Sequence, residues 1–90
     1  MRGPIPSYAA PFGMDDIRVR FGKAVRRLRT DRGISQEQFA AEAKLARSYM
    51  GQVERGEVNI SLDNIQKIAA AFGLDVGQLF AETDPRASGQ

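Results

Sequence analysis

The chain is 90 residues long and 42% hydrophobic, with 13 basic and 11 acidic side chains for a net charge of +2. Cysteine and histidine are both absent, which excludes disulfides and thiolate chemistry and removes the usual zinc ligands. No apolar run reaches the roughly 18 residues needed to span a membrane, and the N-terminus carries no apolar block of a secretory signal. One small unstapled intracellular domain is expected, with no metal and no cofactor.

In chain order, residues 1–14 contain Gly3, Pro4, Pro6, Pro11 and Gly13 without sustained periodicity and read as a flexible arm. Tyr8 and Phe12 stand alone in it, and Met14 is an alternative start. A folded region is expected over 15–81, followed by a flexible polar tail over 82–90. The first helical pattern runs from about Asp15 to Asp31, with Ile17, Phe21, Ala24, Val25 and Leu28 as its apolar stripe. Asp15 and Asp16 suit its positive end, and Gly33 closes it. Seven of the 13 basic residues fall between Arg18 and Arg32. Such a concentration suits nucleic acid, an anionic membrane or an acidic partner, and equally a plain solvated face. Because the stripe is needed for the core, membrane binding is the weakest of these.

"SQEQ" opens a second helix, Ser35 capping and Gln38 completing a capping box. Phe39, Ala40 and Ala43 face inward, and the pattern breaks at Lys44–Leu45. A third helix covers Arg47–Arg55 and stops at Gly56. Ser61 caps a fourth, "LDNIQKIAAAF", whose inward face is Leu62, Ile65, Ile68, Ala69 and Phe72. Asp75 caps a fifth, "VGQLF". With no strand and no internal repeat, the fold class is all-α.

The third helix sorts cleanly around its axis. With Arg47 at zero and about 100° per residue, Gly51 falls near 40°, Arg55 near 80°, Ser48 near 100° and Gln52 near 140°. Tyr49, Val53 and Met50 occupy the far side, between roughly 200° and 300°. Arginine can grip guanine O6 and N7 with two hydrogen bonds, and glutamine can do the same for adenine N6 and N7. Arg55, one turn on, is within reach of a phosphate. Gly51 reads either as a place where backbone approaches DNA closely or as a tolerated surface glycine. A capped helix, a short turn and a second short amphipathic helix form a helix-turn-helix unit.

From "FGKAVRRLRTDRGISQEQFAAEAKLARSYMGQVERG" through "LDNIQKIAAAFGLDVGQLF", the chain resembles the Cro/C1-type, or XRE-like, helix-turn-helix regulators. That family includes phage repressors and restriction–modification controller proteins. The resemblance spans Phe21–Phe80 and implies a five-helix bundle of the lambda-repressor-like type, with helices two and three as the helix-turn-helix. It implies base-reading roles for Arg47, Ser48 and Gln52, and phosphate contacts for Gln36, Arg55 and Asn59. Glu54 matches a glutamate paired structurally with an arginine of the first helix, here Arg29. Three departures weaken the third helix: Lys44 where the turn usually has glycine, Ala46 where a capping side chain is usual, and Gly51 in the interior.

The function implied is a sequence-specific transcriptional regulator of double-stranded DNA, a repressor or autoregulator. A homodimer would read a pseudo-palindromic operator with recognition helices about 34 Å apart. Dimer contacts in relatives involve the last helix, which makes Val76 and Phe80 candidates, although Phe80 could instead complete the core; Leu79 is expected in the core. The alternative is an antitoxin-type interaction module that also binds DNA and takes a protein toxin as partner. No enzyme frame is present, and no small-molecule effector is expected.

Overall fold

The computed structural model describes residues 16–84; the expectations for the N-terminal arm, Tyr8, Phe12 and Met14, and for the tail beyond Asp84, lie outside the described residues. Five helices follow one another: α1 (Ile17–Asp31), α2 (Gln36–Ala43), α3 (Arg47–Glu54), α4 (Leu62–Ala71) and α5 (Val76–Ala81). No strand occurs among the described residues.

Each start except one has a side-chain cap, which satisfies backbone N–H groups that the helix itself leaves open. Asp16 accepts from the N–H groups of Arg18 and Val19 at 2.9 and 3.1 Å. Ser35 with Gln38, and Asp75 with Gln78, form reciprocal capping boxes, and Ser61 accepts from the N–H of Asn64. The exception is α3, where Ala46 offers no side-chain bond.

The ends of α1 to α4 share one solution: a left-handed residue reverses the chain so that the next N–H reaches back to a carbonyl of the last turn. Three of these residues are glycines, Gly33, Gly56 and Gly73, and the fourth is Lys44 with φ 61°. Leu45 N–H donates to Ala40 O at 2.9 Å across that lysine, so the turn between α2 and α3 closes as the three glycine turns do, on a residue for which the left-handed conformation is unfavourable.

The core joins all five helices. Val25, Phe39, Met50, Ile68 and Leu79 are fully buried. Phe39 stacks on Phe72 with ring centroids 4.3 Å apart, and Phe21 meets Phe80 at 5.6 Å. Arg32 lays its guanidinium over the Phe72 ring and donates to Phe72 O, tying the end of α1 to the end of α4. Packing continues past α5: Arg27 donates to Glu82, and Thr83 is buried.

Two expected core residues lie outside. Ile17 is 48% exposed and Leu62 is 76% exposed. Both stand at the first position of their helices, and among the described residues no neighbouring element covers that turn enough to bury them. A stripe position buries a side chain only where a partner surface faces it.

Candidate nucleic-acid interface

α3 is held against the rest of the protein from three sides. Its apolar residues Met50 and Val53 enter the core. The Asn64 amide Nδ2 donates to the Tyr49 hydroxyl oxygen at 3.2 Å, linking α3 to α4. Its last turn lies directly against α1 at Gly22. A Cβ there would sit 2.4 Å from Val53 O and 2.6 Å from Glu54 O, so only a bare Cα lets the two backbones touch. One turn earlier in α1, Val19 meets Gly56 in the same seam.

Beside this seam sits a buried ion pair. Arg29 grips Glu54 with two hydrogen bonds, Nε to Oε2 at 2.7 Å and Nη2 to Oε1 at 3.0 Å. The two side chains are only 11% and 4% exposed. Arg29 Nη1 also donates to Ile34 O, and Gln36 Nε2 donates to Glu54 Oε1 at 3.0 Å. The hydrogen bond to Glu54 raises the Arg29 pKa above its ordinary value, against the opposing effect of burial. One carboxylate thus fastens α1, the head of α2 and α3 together.

The outer face of α3 opens into a hollow of about 350 Å³ lined by Gln36, Arg47, Ser48, Gly51, Gln52 and Arg55. Arg47, Ser48 and Gln52 are exposed and make no side-chain hydrogen bond among the described residues. The structure therefore brings together six of the residues singled out from the sequence. Asn59 is not among them. It lies in a separate hollow with Ile17, Arg18, Phe21, Ile60, Ile65 and Phe80. Val76 and Phe80 are half-buried against the core, and Leu79 is wholly inside it.

Gly51 is not bare surface. Arg55 Nη1 and Gln36 Oε1 lie 3.1 and 3.4 Å from where its Cβ would be. The missing side chain makes room for two side chains of the protein itself. Gln36 and Arg55 are likewise committed to internal partners, Gln36 to Glu54 and Arg55 to Glu57. Arg55 Nε and Nη2 donate to the two Glu57 carboxylate oxygens at 2.9 and 3.2 Å. This bond raises the Arg55 pKa and holds the Glu57 carboxyl below its usual range. Sequence reasoning passed over Glu57 and Gly22. Opposite charges two residues apart in "ERGE", and a glycine inside the apolar stripe of a helix, were the available signals.

Much of the basic charge of α1 is also spoken for. Arg18 pairs with Asp16, Arg27 with Glu82 and Arg29 with Glu54. The local excess of arginine therefore translates only partly into free positive surface.

A short helix pinned across a capped one, its outer face lined with unpartnered hydrogen-bonding groups, defines the helix-turn-helix class of regulators. Residues 25–79 match the helix-turn-helix family. The chain belongs to it, among the Cro/C1-type regulators that include restriction–modification controller proteins. The control protein C.MunI of Mycoplasma sp is 40% identical over 72 residues, covering 79% of this chain and 97% of that protein. The crystal structure of the controller protein C.AhdI from Aeromonas hydrophila superposes with a TM-score of 0.66 at 50% identity, over 69% of this chain and 94% of that one. The biofilm regulator SinR, solved in complex with DNA, matches at a TM-score of 0.61 and 28% identity, over 67% of this chain and 97% of that one. Among the described residues no helix is long and apolar enough to cross a membrane, and no cluster of acidic side chains could hold a metal ion.

Proposed function

We propose that the protein is a sequence-specific regulator of transcription that lays α3 in the major groove of double-stranded DNA. The observation that carries this is the pairing of opposites on one helix. Arg47, Ser48 and Gln52 are exposed and unpartnered, while the Arg29–Glu54–Gln36 network and the Gly22 seam pin the inner face. Side chains that must reach base edges need a rigid platform and free donors, and α3 has both. The DNA complex of SinR and the likeness to restriction–modification controller proteins support the same reading.

Arg47 and Gln52 carry the bidentate base contacts and Ser48 an adaptable one. Arg55 takes a phosphate near the end of α3. Gln36 contributes its backbone N–H at the head of α2, since its side-chain amide is turned inward to Glu54. Asn59, farther from the hollow, contacts phosphate only where the duplex runs on past the loop. The regulator acts in the cytoplasm as a homodimer, a repressor or autoregulator on a pseudo-palindromic site. Phe80, beside the half-exposed Ile17, supplies the dimer contact, and Val76 lies next to it on α5.

Selection of bound duplexes from a random pool tests this. An enriched motif with two half-sites about one helical turn apart is expected. Arg47→Ala and Gln52→Ala should each relax the motif at individual base pairs by about 1–3 kcal/mol. Recovery of no motif at moderate salt would overturn the reading, and a motif with a single half-site would overturn the homodimer.

A further inference from the structure

The loop that closes α3 places a carboxylate on the arginine expected to meet DNA. Gly56 turns the chain with φ 74°, and the N–H of Glu57 reaches back to Gln52 O at 2.9 Å. This fixes the Glu57 backbone beside the helix end, two residues after Arg55. Its carboxylate then takes Arg55 Nε and Nη2, the side-on edge of the guanidinium. The other terminal nitrogen, Nη1, is turned down over Gly51. A phosphate grips a guanidinium with the same two-oxygen geometry as a carboxylate. Both pair members are exposed, at 60% and 50%, so water and ions reach them freely and a well-placed phosphate can replace the carboxylate.

We propose that Glu57 is a specificity-determining residue, an internal stand-in for DNA phosphate that withholds Arg55 from duplexes the protein does not recognise. The inference rests on the DNA-binding reading of α3. On a duplex without the right bases, α3 is held loosely, phosphates pass its end without the fixed two-oxygen alignment that displaces a carboxylate, and Arg55 stays on Glu57; only an arginine freed of that partner would pair with them. On a recognised site, Arg47 and Gln52 hold α3 in register, and the phosphate next to its end displaces the carboxylate. Arg55 therefore adds its counterion release to specific binding and withholds it from non-specific binding. The balance of the two affinities widens without any new base contact.

The test is a salt titration of binding by the full chain, read by fluorescence anisotropy. The probes are a labelled random-sequence duplex and the duplex recovered by selection. Each phosphate neutralised steepens log K against log salt by about 0.9. Glu57→Gln should steepen the slope on the random duplex by about that amount and leave the slope on the selected duplex unchanged. At 0.1 M salt one such added contact corresponds to about eightfold tighter binding of the random duplex. Arg55→Ala should abolish the effect, so that the double variant matches Arg55→Ala alone. Equal tightening on both duplexes, or an effect that survives Arg55→Ala, would overturn the proposal by reducing Glu57 to a general negative charge. Weaker binding of the selected duplex by Glu57→Gln would also overturn it, since Glu57 would then be orienting Arg55 for contact. Those results leave the DNA reading standing, whereas a wild-type chain that binds neither duplex overturns both.

Discussion

Replacing Gly22 with alanine sets two rules against each other. Helix propensity favours alanine over glycine in a helix interior by about 1 kcal/mol. The structure opposes it. The new Cβ would stand 2.4 Å from Val53 O and 2.6 Å from Glu54 O, with Glu54 C at 2.9 Å. The first distance falls about 1 Å short of ordinary contact between non-bonded heavy atoms. The obstacles are backbone atoms, and Val53 O already accepts the N–H of Gly56 at 3.0 Å, so it cannot swing aside. α1 and the end of α3 must separate, which strains the two Arg29–Glu54 bonds and opens the core around Val53. Overpacking of this kind costs up to about 3 kcal/mol. After the propensity gain, a net loss of about 2 kcal/mol is expected, or roughly 10 °C in melting temperature for a domain this small. Urea unfolding and thermal melts followed by circular dichroism measure it. Gly51→Ala is the matched control. Its Cβ would meet only the flexible tips of Arg55 and Gln36 at 3.1 and 3.4 Å, so the helix gains up to about 1 kcal/mol in stability. A Gly22→Ala protein as stable as wild type or more so would refute the reasoning, because propensity would then have outweighed the seam.

Three further outcomes follow from the same contacts. Glu54→Gln leaves the Arg29 guanidinium buried without its counter-charge and should destabilise by about 3 kcal/mol, the low end for such a loss because Ile34 O still accepts from it; denaturant unfolding of the single variant, set beside Arg29→Met with Glu54→Leu, should show the double variant to be the less damaged. Lys44→Gly relieves a left-handed lysine at φ 61° and should raise stability by about 1 kcal/mol, visible as a higher melting temperature. Hydrogen bonds to the α1 cap, first from Val19 N–H, hold the Asp16 carboxyl below its ordinary 3.8. Because the folded value is the lower one, the cap's stabilisation is complete above 3.8 and fades as pH falls through the folded value. Asp16→Asn keeps a capping oxygen that does not titrate, so acid-side melting curves should lose that part of their slope.

The helices were legible because their signals are local. Ser35 and Gln38, Asp75 and Gln78, and the glycines after the helix ends each act within a few residues of themselves, and the structure puts caps and turns where those residues stand. The split of α3 into an apolar face and a face bearing Arg47, Ser48 and Gln52 was legible for the same reason: a helix converts spacing into direction. Ile17 and Leu62 mark where that logic stops, since direction alone does not say whether anything lies opposite.

What the sequence by itself determined is thus the set of helices, the turn that makes two of them a helix-turn-helix, and the side of α3 that carries Arg47, Ser48, Gly51 and Gln52. Tertiary structure alone decided that Gln36 comes to lie over Gly51 and holds Glu54, and that Gly22 meets the carbonyls of Val53 and Glu54. It also separated Asn59 from the hollow in which the others meet. The physical reason is range. Caps and periodicity are set by bonds between near neighbours in the chain, whereas a close approach or an ion pair depends on where two helices come to rest. That arrangement is a property of the packed core as a whole.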